Sequence, residues 1–146
     1  MIEGLSLMTT SLLTGSLLIG TLGLRSALAG IDTGMELRVR QQMIRALWQV
    51  MPVVMAASVL TSGLAALHGR SQPAQGLAAL GFVLCAAVFG IILTVHSPLN
   101  QIFLTWRVDS LPPNFQFHLD RWNRWDSIRA AVATAALLSI TFSIMR

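Results

Sequence analysis

The sequence predicts an all-α integral membrane protein, a four-helix bundle whose N- and C-termini lie on the non-cytoplasmic side. Its composition, four long apolar stretches and the placement of its arginines lead to this prediction. Of 146 residues, 54% are hydrophobic and only 11% are charged, whereas a soluble domain typically carries about 25% charged residues. A soluble core of this size could not bury so much apolar surface, so we expect lipid to be the main solvent.

Four apolar stretches reach the length of about 20 residues that is needed to cross a bilayer. We predict one transmembrane domain over 1–146, with helices at about 5–28, 44–67, 76–97 and 124–145. Backbone amides in lipid must be satisfied within each segment, which favours helices over any other structure. Although 27–29 resembles a signal-peptidase site, no basic residue precedes Arg25. The first stretch is also longer than a signal-peptide core, so it is predicted to be a span.

The arginines indicate the orientation of the bundle. With four spans, the first connection (29–45) and the third (97–126) must share one side of the membrane. These two connections and their flanks carry eight of the ten arginines, namely Arg25, Arg38, Arg40, Arg45, Arg107, Arg121, Arg124 and Arg129. Only Arg70 and Arg146 fall on the other side. Because basic loops stay in the cytoplasm, we expect both termini outside, in a bacterial inner (plasma) membrane.

Composition and spacing argue against several other functions. The net charge is +4, but the basic residues flank apolar spans, a pattern that reports topology; membrane lipid is therefore the expected partner and nucleic acid is not. The three histidines lie in separate segments without metal-ligand spacing, so we predict no metal site. Cys85 lies inside an apolar run and is expected to be a small buried hydrophobe.

Polar residues gather where the third helix leaves the membrane. His96 and Asn100 are four residues apart and share one face if the helix continues past Pro98. Pro98 lacks a backbone donor and frees the carbonyl of Thr94, so a kink there would open a polar pocket. The alternative for His96 is an interfacial histidine that is hydrogen-bonded to a backbone carbonyl.

A second polar group occupies the start of the fourth helix. Trp122, Asp126 and Arg129 fall on one helical stripe, and Asp126 and Arg129 are close enough in sequence to pair. A paired acid and base is much less costly near a bilayer than either charge alone. Tryptophan and arginine at a helix start are also ordinary interfacial anchors, which is the alternative interpretation. We expect His96 and Asn100 to converge with Asp126 and Arg129.

These residues carry a family resemblance. The chain resembles the anthrone-oxygenase-like family of small membrane proteins. The resemblance lies in the four spans with a long third connection, in the Pro-x-Asn of Pro98 and Asn100, and in Trp122, Asp126 and Arg129. The resemblance implies oxidation of anthrones to anthraquinones with no bound cofactor, and a hydrophobic aromatic ligand near the cytoplasmic end. Family members commonly have histidine or asparagine where this chain has Asp126.

The reaction that the resemblance implies needs an apolar slot, a base and donors for an enolate oxygen. We assign His96 as the base, Asn100 and Arg129 as donors, and Trp122 as a stacking wall. Asp126 is expected to position Arg129 or His96, because a carboxylate paired with arginine is a weak base. The rival function is a non-catalytic accessory subunit, packed against a larger membrane complex or in a homo-oligomer. An enzyme would need a cavity of about 300 Å³ or more at this cluster.

Overall fold

The computed structural model describes residues 1–69 and 71–146, and Arg70 of the arginine count lies outside the described residues. Over that part of the chain there are five helices: α1 (Ile2–Leu28), α2 (Thr33–Leu47), α3 (Val50–His68), α4 (Gln72–Thr105) and α5 (Phe115–Ile144). All but α2 are long and apolar enough to cross a membrane. The described residues form no strand, only one isolated bridge between Arg107 and Ser110. The prediction of an all-α protein with four candidate spans is confirmed.

The four long helices pack in a ring, in which α1 and α4 each contact both α3 and α5. Small side chains let these helices approach closely, as expected for packing in lipid. At Gly81 of α4, an added Cβ would lie 2.6 Å from Cδ1 of Ile140 on α5. Between α1 and α5, the hydroxyl of Thr14 donates to the carbonyl of Ala133 at 3.0 Å. The bundle interior therefore combines small apolar residues with short hydroxyl-to-backbone links.

The short helix α2 occupies most of the first connection, which hydropathy alone treated as a loop. A turn at Gly30, with φ of 85°, leads out of α1. The Asp32 side chain then caps α2 by accepting from the backbone amides of Gly34 and Met35 at 3.0 and 3.3 Å. Leu37 of α2 is fully buried. Helix α2 is thus an amphipathic helix that lies on the bundle.

Two long helices extend well beyond their predicted ends. Helix α4 continues to Thr105 rather than stopping near 97, and α5 begins at Phe115 rather than near 124. These extensions and α2 bury a common core of Leu37, Ile44, Val95, Leu99, Phe103, Phe115, Leu119 and Trp122. Hydropathy locates only the apolar stretches. It could not predict the two helix extensions or α2, because this separate core stabilises them. We call the part of the molecule formed by α2, the extension of α4 and the extension of α5 the arginine-rich end.

Candidate functional site

Asp126 lies at the centre of a buried polar cluster at the arginine-rich end. It is 2% exposed, on the face of α5 that points into the bundle. Its Oδ1 pairs with Nη2 of Arg129, one turn later on α5. Its Oδ2 accepts a hydrogen bond of 2.7 Å from the hydroxyl of Thr21 on α1. The carboxylate is therefore compensated by one positive charge and one hydroxyl, as a buried acid requires.

His96 of α4 lies beside this carboxylate. Its Nε2 is 3.9 Å from Oδ1 of Asp126, which is close for two charges but too long for a hydrogen bond. The ring packs edge-on against the indole of Trp122, with 5.5 Å between ring centroids. Within the described residues, neither ring nitrogen has a hydrogen-bond partner, and the side chain is 1% exposed.

Asn100 joins the cluster because α4 continues as a helix through Pro98. Its Oδ1 accepts a hydrogen bond of 3.0 Å from Nε1 of Trp122. This contact fixes the indole, and it leaves the amide nitrogen of Asn100 as the group that could donate to a ligand. The structure thus brings all five predicted residues together, namely His96, Asn100, Trp122, Asp126 and Arg129. Their catalytic and ligand-binding roles stay predictions.

Two π-helical segments position the cluster. Ile19–Leu24 of α1 contains Thr21, and Ile92–His96 of α4 ends at His96. A π turn adds one residue to an α-helix and redirects the side chains around it; such turns are rare and frequent at functional sites. Pro98, which has no N–H for the preceding turn, follows the second segment closely. The sequence gives no signal for the first π segment, so Thr21 could not be found in advance.

Arg40 of α2 is a further member of the cluster that sequence reasoning missed. It is 2% exposed, and its Nε and Nη2 donate to Oε1 of Glu36 at 3.1 and 2.8 Å. Nη2 also donates to Oδ1 of Asn123 at 3.2 Å. The guanidinium carbon lies 4.7 Å from the centre of the Trp122 ring, a cation–π contact. The four-residue spacing of Glu36 and Arg40 could have indicated a helical pair. No pattern in the sequence indicated that Arg40 contacts α5.

The cluster is closed in this structure. A cleft beside the Asp126 carboxylate runs between α1, α2 and α5. Its lining includes Thr21, Arg40, Trp122 and Asp126, but not His96, Asn100 or Arg129. It is too narrow to admit a water molecule, whereas a site for a small molecule needs about 300 Å³ or more. A pocket opened by a kink at Pro98 stays a prediction, since neither this cleft nor the groove described below is lined by Pro98, His96 or Asn100. An aromatic ligand could bind only if neighbouring elements moved apart.

A surface groove of about 260 Å³ also lies at the arginine-rich end, between Ile44, Arg45, Trp48, Gln101 and Leu104. It is open and shares none of these residues with the cluster around Asp126. As for metals, the residues that the structure describes include no group of three or more acidic, histidine or cysteine side chains placed to hold an ion.

Comparison with known families identifies the chain. The sequence model of the anthrone oxygenase family matches residues 41–139, about two thirds of the chain. The chain belongs to the anthrone oxygenase family. All five residues predicted for the anthrone oxygenase site lie inside the match, whereas Thr21 and Arg40 lie outside it. No curated protein and no solved structure matches the chain. The resemblance proposed from the sequence is thereby confirmed.

Proposed function

We propose that this membrane protein binds a planar aromatic small molecule at the arginine-rich end and oxygenates it without a bound cofactor. Anthrone represents the class of substrate, because the family bears its name. The observation that carries the proposal is His96, a buried imidazole that contacts an indole and lies 3.9 Å from a carboxylate. Such an imidazole can act as a general base when its lone pair is available to a substrate.

The reaction needs little more than proton removal. A neutral His96 takes a proton from the methylene group between two aromatic rings, and the electron pair moves to the carbonyl oxygen as an enolate. The enolate gives one electron to O2, and the two radicals combine to a peroxide anion. The anion takes the proton back from His96 and becomes a hydroperoxide. Loss of water from the hydroperoxide forms the second carbonyl of the quinone. One O2 is consumed and one water is released for each substrate.

The remaining side chains support that proton transfer. Protonated His96 would interact favourably with Asp126, whose Oδ1 lies 3.9 Å away, and unfavourably with Arg129, which pairs with that same oxygen. Trp122 forms an apolar wall whose orientation is fixed by Asn100. The amide nitrogen of Asn100 and the guanidinium of Arg129 are donors for the enolate oxygen. Asp126 positions these groups and is not the base, since both its oxygens are engaged.

Ligand binding requires the arginine-rich end to open, and α2 is the element that we propose to move. It is the one described helix that is not a candidate span. It is attached partly through side-chain contacts that can exchange with water, such as Gln41 Nε2 with the carbonyls of Phe103 and Trp106 at 2.8 and 3.0 Å. Because eight of the ten arginines belong to this end, we propose that it faces the cytoplasm.

The second candidate function is a non-catalytic accessory subunit of a membrane complex. The closed cleft favours it, because a packed polar cluster can simply hold α1, α4 and α5 together. Purification in mild detergent distinguishes the two candidates. A stoichiometric protein partner, without activity on aromatic substrates, would support the accessory subunit and contradict the enzyme.

The direct test is aerobic turnover of anthrone by the purified protein in detergent, followed by quinone absorbance and O2 consumption. We expect the wild-type protein to exceed the rate in detergent alone, and His96→Ala to fall to that background. His68→Ala is the matched control, because His68 ends α3 at the opposite end of the bundle and bonds to the Leu64 carbonyl at 2.9 Å. It should retain full activity. Equal rates for wild type and His96→Ala would overturn the proposal.

A further inference from the structure

Arg40 is a buried cation with more donors than the protein satisfies. Its Nε and Nη2 share one carboxylate oxygen of Glu36. In the described structure its Nη1 is buried and has no hydrogen-bond partner. An arginine on an amphipathic helix ordinarily keeps its head group in water, because a buried donor without an acceptor is costly. Glu36, Asn123 and the Trp122 ring hold the rest of the guanidinium, so Nη1 is the part that this packing leaves without an acceptor.

The position of Arg40 connects it with the cluster around His96. It lines the same cleft as Trp122 and Asp126. The indole of Trp122 contacts both the imidazole of His96 and the guanidinium of Arg40. His96 itself does not line the cleft, so Trp122 and Asp126 are the residues that link Arg40 with the proposed base.

The other candidate donors do not line the cleft. Arg129 pairs with Asp126 and has a buried Nε without an acceptor, and Asn100 is neutral, but neither residue belongs to the lining. Arg40 pairs with Glu36 and Arg129 pairs with Asp126, so these charges cancel, and the further positive charge on the lining is the exposed Arg25. Among the described residues of the lining, Arg40 has the buried donor, Nη1, that still lacks an acceptor.

We propose that Arg40 binds the anionic oxygen of the ligand, so that the site selects aromatic molecules with an acidic enol or phenol oxygen. This inference rests on the proposed function and makes it more specific. Arg40 supplies a charge-assisted hydrogen bond to the enolate that forms when the methylene proton leaves, in addition to the donors Asn100 and Arg129. Opening of α2 exposes Arg40, and the ligand oxygen then replaces the missing acceptor of Nη1.

The test uses two unreactive probes of the same shape, 1,8-dihydroxyanthraquinone and 1,8-dimethoxyanthraquinone. Only the first can ionise. Each is titrated into purified protein in detergent, and into detergent alone, while tryptophan fluorescence and the visible absorption of the probe are recorded. We expect the wild-type protein to bind both probes and to ionise the dihydroxy probe at a lower pH than detergent does.

The decisive variant is Arg40→Gln, and Arg38→Gln on the exposed face of the same helix is its matched control. Arg40→Gln should weaken binding of the dihydroxy probe about tenfold or more, because a charge-assisted hydrogen bond is lost. It should also abolish the shift in ionisation, and binding of the dimethoxy probe should not change. Arg38→Gln should behave as wild type. A merely structural role for Arg40 would weaken both probes alike and overturn the inference.

Arg40→Gln leaves Glu36 without its ion-pair partner, and this variant could fail to fold for that reason. A second pair of variants keeps the test valid in that case. Glu36→Gln combined with Arg40→Gln removes both charges, and Glu36→Gln alone is its reference. If the double variant binds and ionises the dihydroxy probe as its reference does, the inference fails while the proposed function stands. If the wild-type protein binds neither probe, both the inference and the proposed function fail.

Discussion

The hydroxyl of Thr21 on α1 donates a 2.7 Å hydrogen bond to Oδ2 of Asp126 on α5. The other carboxylate oxygen pairs with Arg129, so the acid is held from two sides. His96 lies against the same carboxylate without bonding to it. The carboxylate thus fixes the geometry of two helices and leaves the imidazole available for chemistry.

Replacing Thr21 with valine should lower the free energy of unfolding by about 1–3 kcal/mol, because a buried carboxylate oxygen loses its donor. Unfolding in detergent, followed by circular dichroism, measures this change. Thr94→Val is the matched control, since the exposed Thr94 hydroxyl bonds only to the Gly90 carbonyl of its own helix, at 2.8 Å. Equal destabilisation by the two substitutions would contradict a special role for Thr21.

Replacing Arg129 with methionine should destabilise the fold by about 3–5 kcal/mol, because Asp126 becomes an unpaired buried charge. Adding Asp126→Asn should recover most of this loss, since the charge is then removed as well. Arg124→Met provides the control, because Arg124 is exposed on the same helix. The account would be wrong if Arg129→Met unfolded at the same denaturant concentration as Arg124→Met.

Cys85 is 1% exposed in the bundle core, as the sequence predicted for a small buried hydrophobe. A maleimide should therefore label it slowly in mild detergent and rapidly in denaturant. Cys85→Ala should leave the yield of folded protein almost unchanged, because it removes little volume. Rapid labelling of the folded protein, or loss of all folded protein in the variant, would contradict this placement.

The arginine distribution predicts both termini on the non-cytoplasmic side. A C-terminal alkaline phosphatase fusion should be active, and a C-terminal fluorescent-protein fusion should be dark. The opposite result would place the C-terminus in the cytoplasm. It would also move the cluster around Asp126 to the other side of the membrane.

The sequence predicted those features that depend on composition or on short spacings. Apolar length located the four spans, and the three-residue spacing of Asp126 and Arg129 indicated their pairing. Thr21 escaped prediction because its partner Asp126 lies 105 residues along the chain, and the contact of Arg40 with α5 escaped because Asn123 lies 83 residues away. Such contacts follow from helix packing, which hydropathy and local periodicity do not specify. The π turn at Thr21 escaped for the same reason.

The anaerobic exchange of anthrone methylene hydrogens with D2O tests most directly whether His96 is the base. This measurement isolates proton removal from the later steps with O2. The account predicts that the wild-type protein and His68→Ala accelerate exchange above the rate in detergent, whereas folded His96→Ala does not. Exchange that is equally fast with His96→Ala, or no acceleration by the wild-type protein, would contradict it.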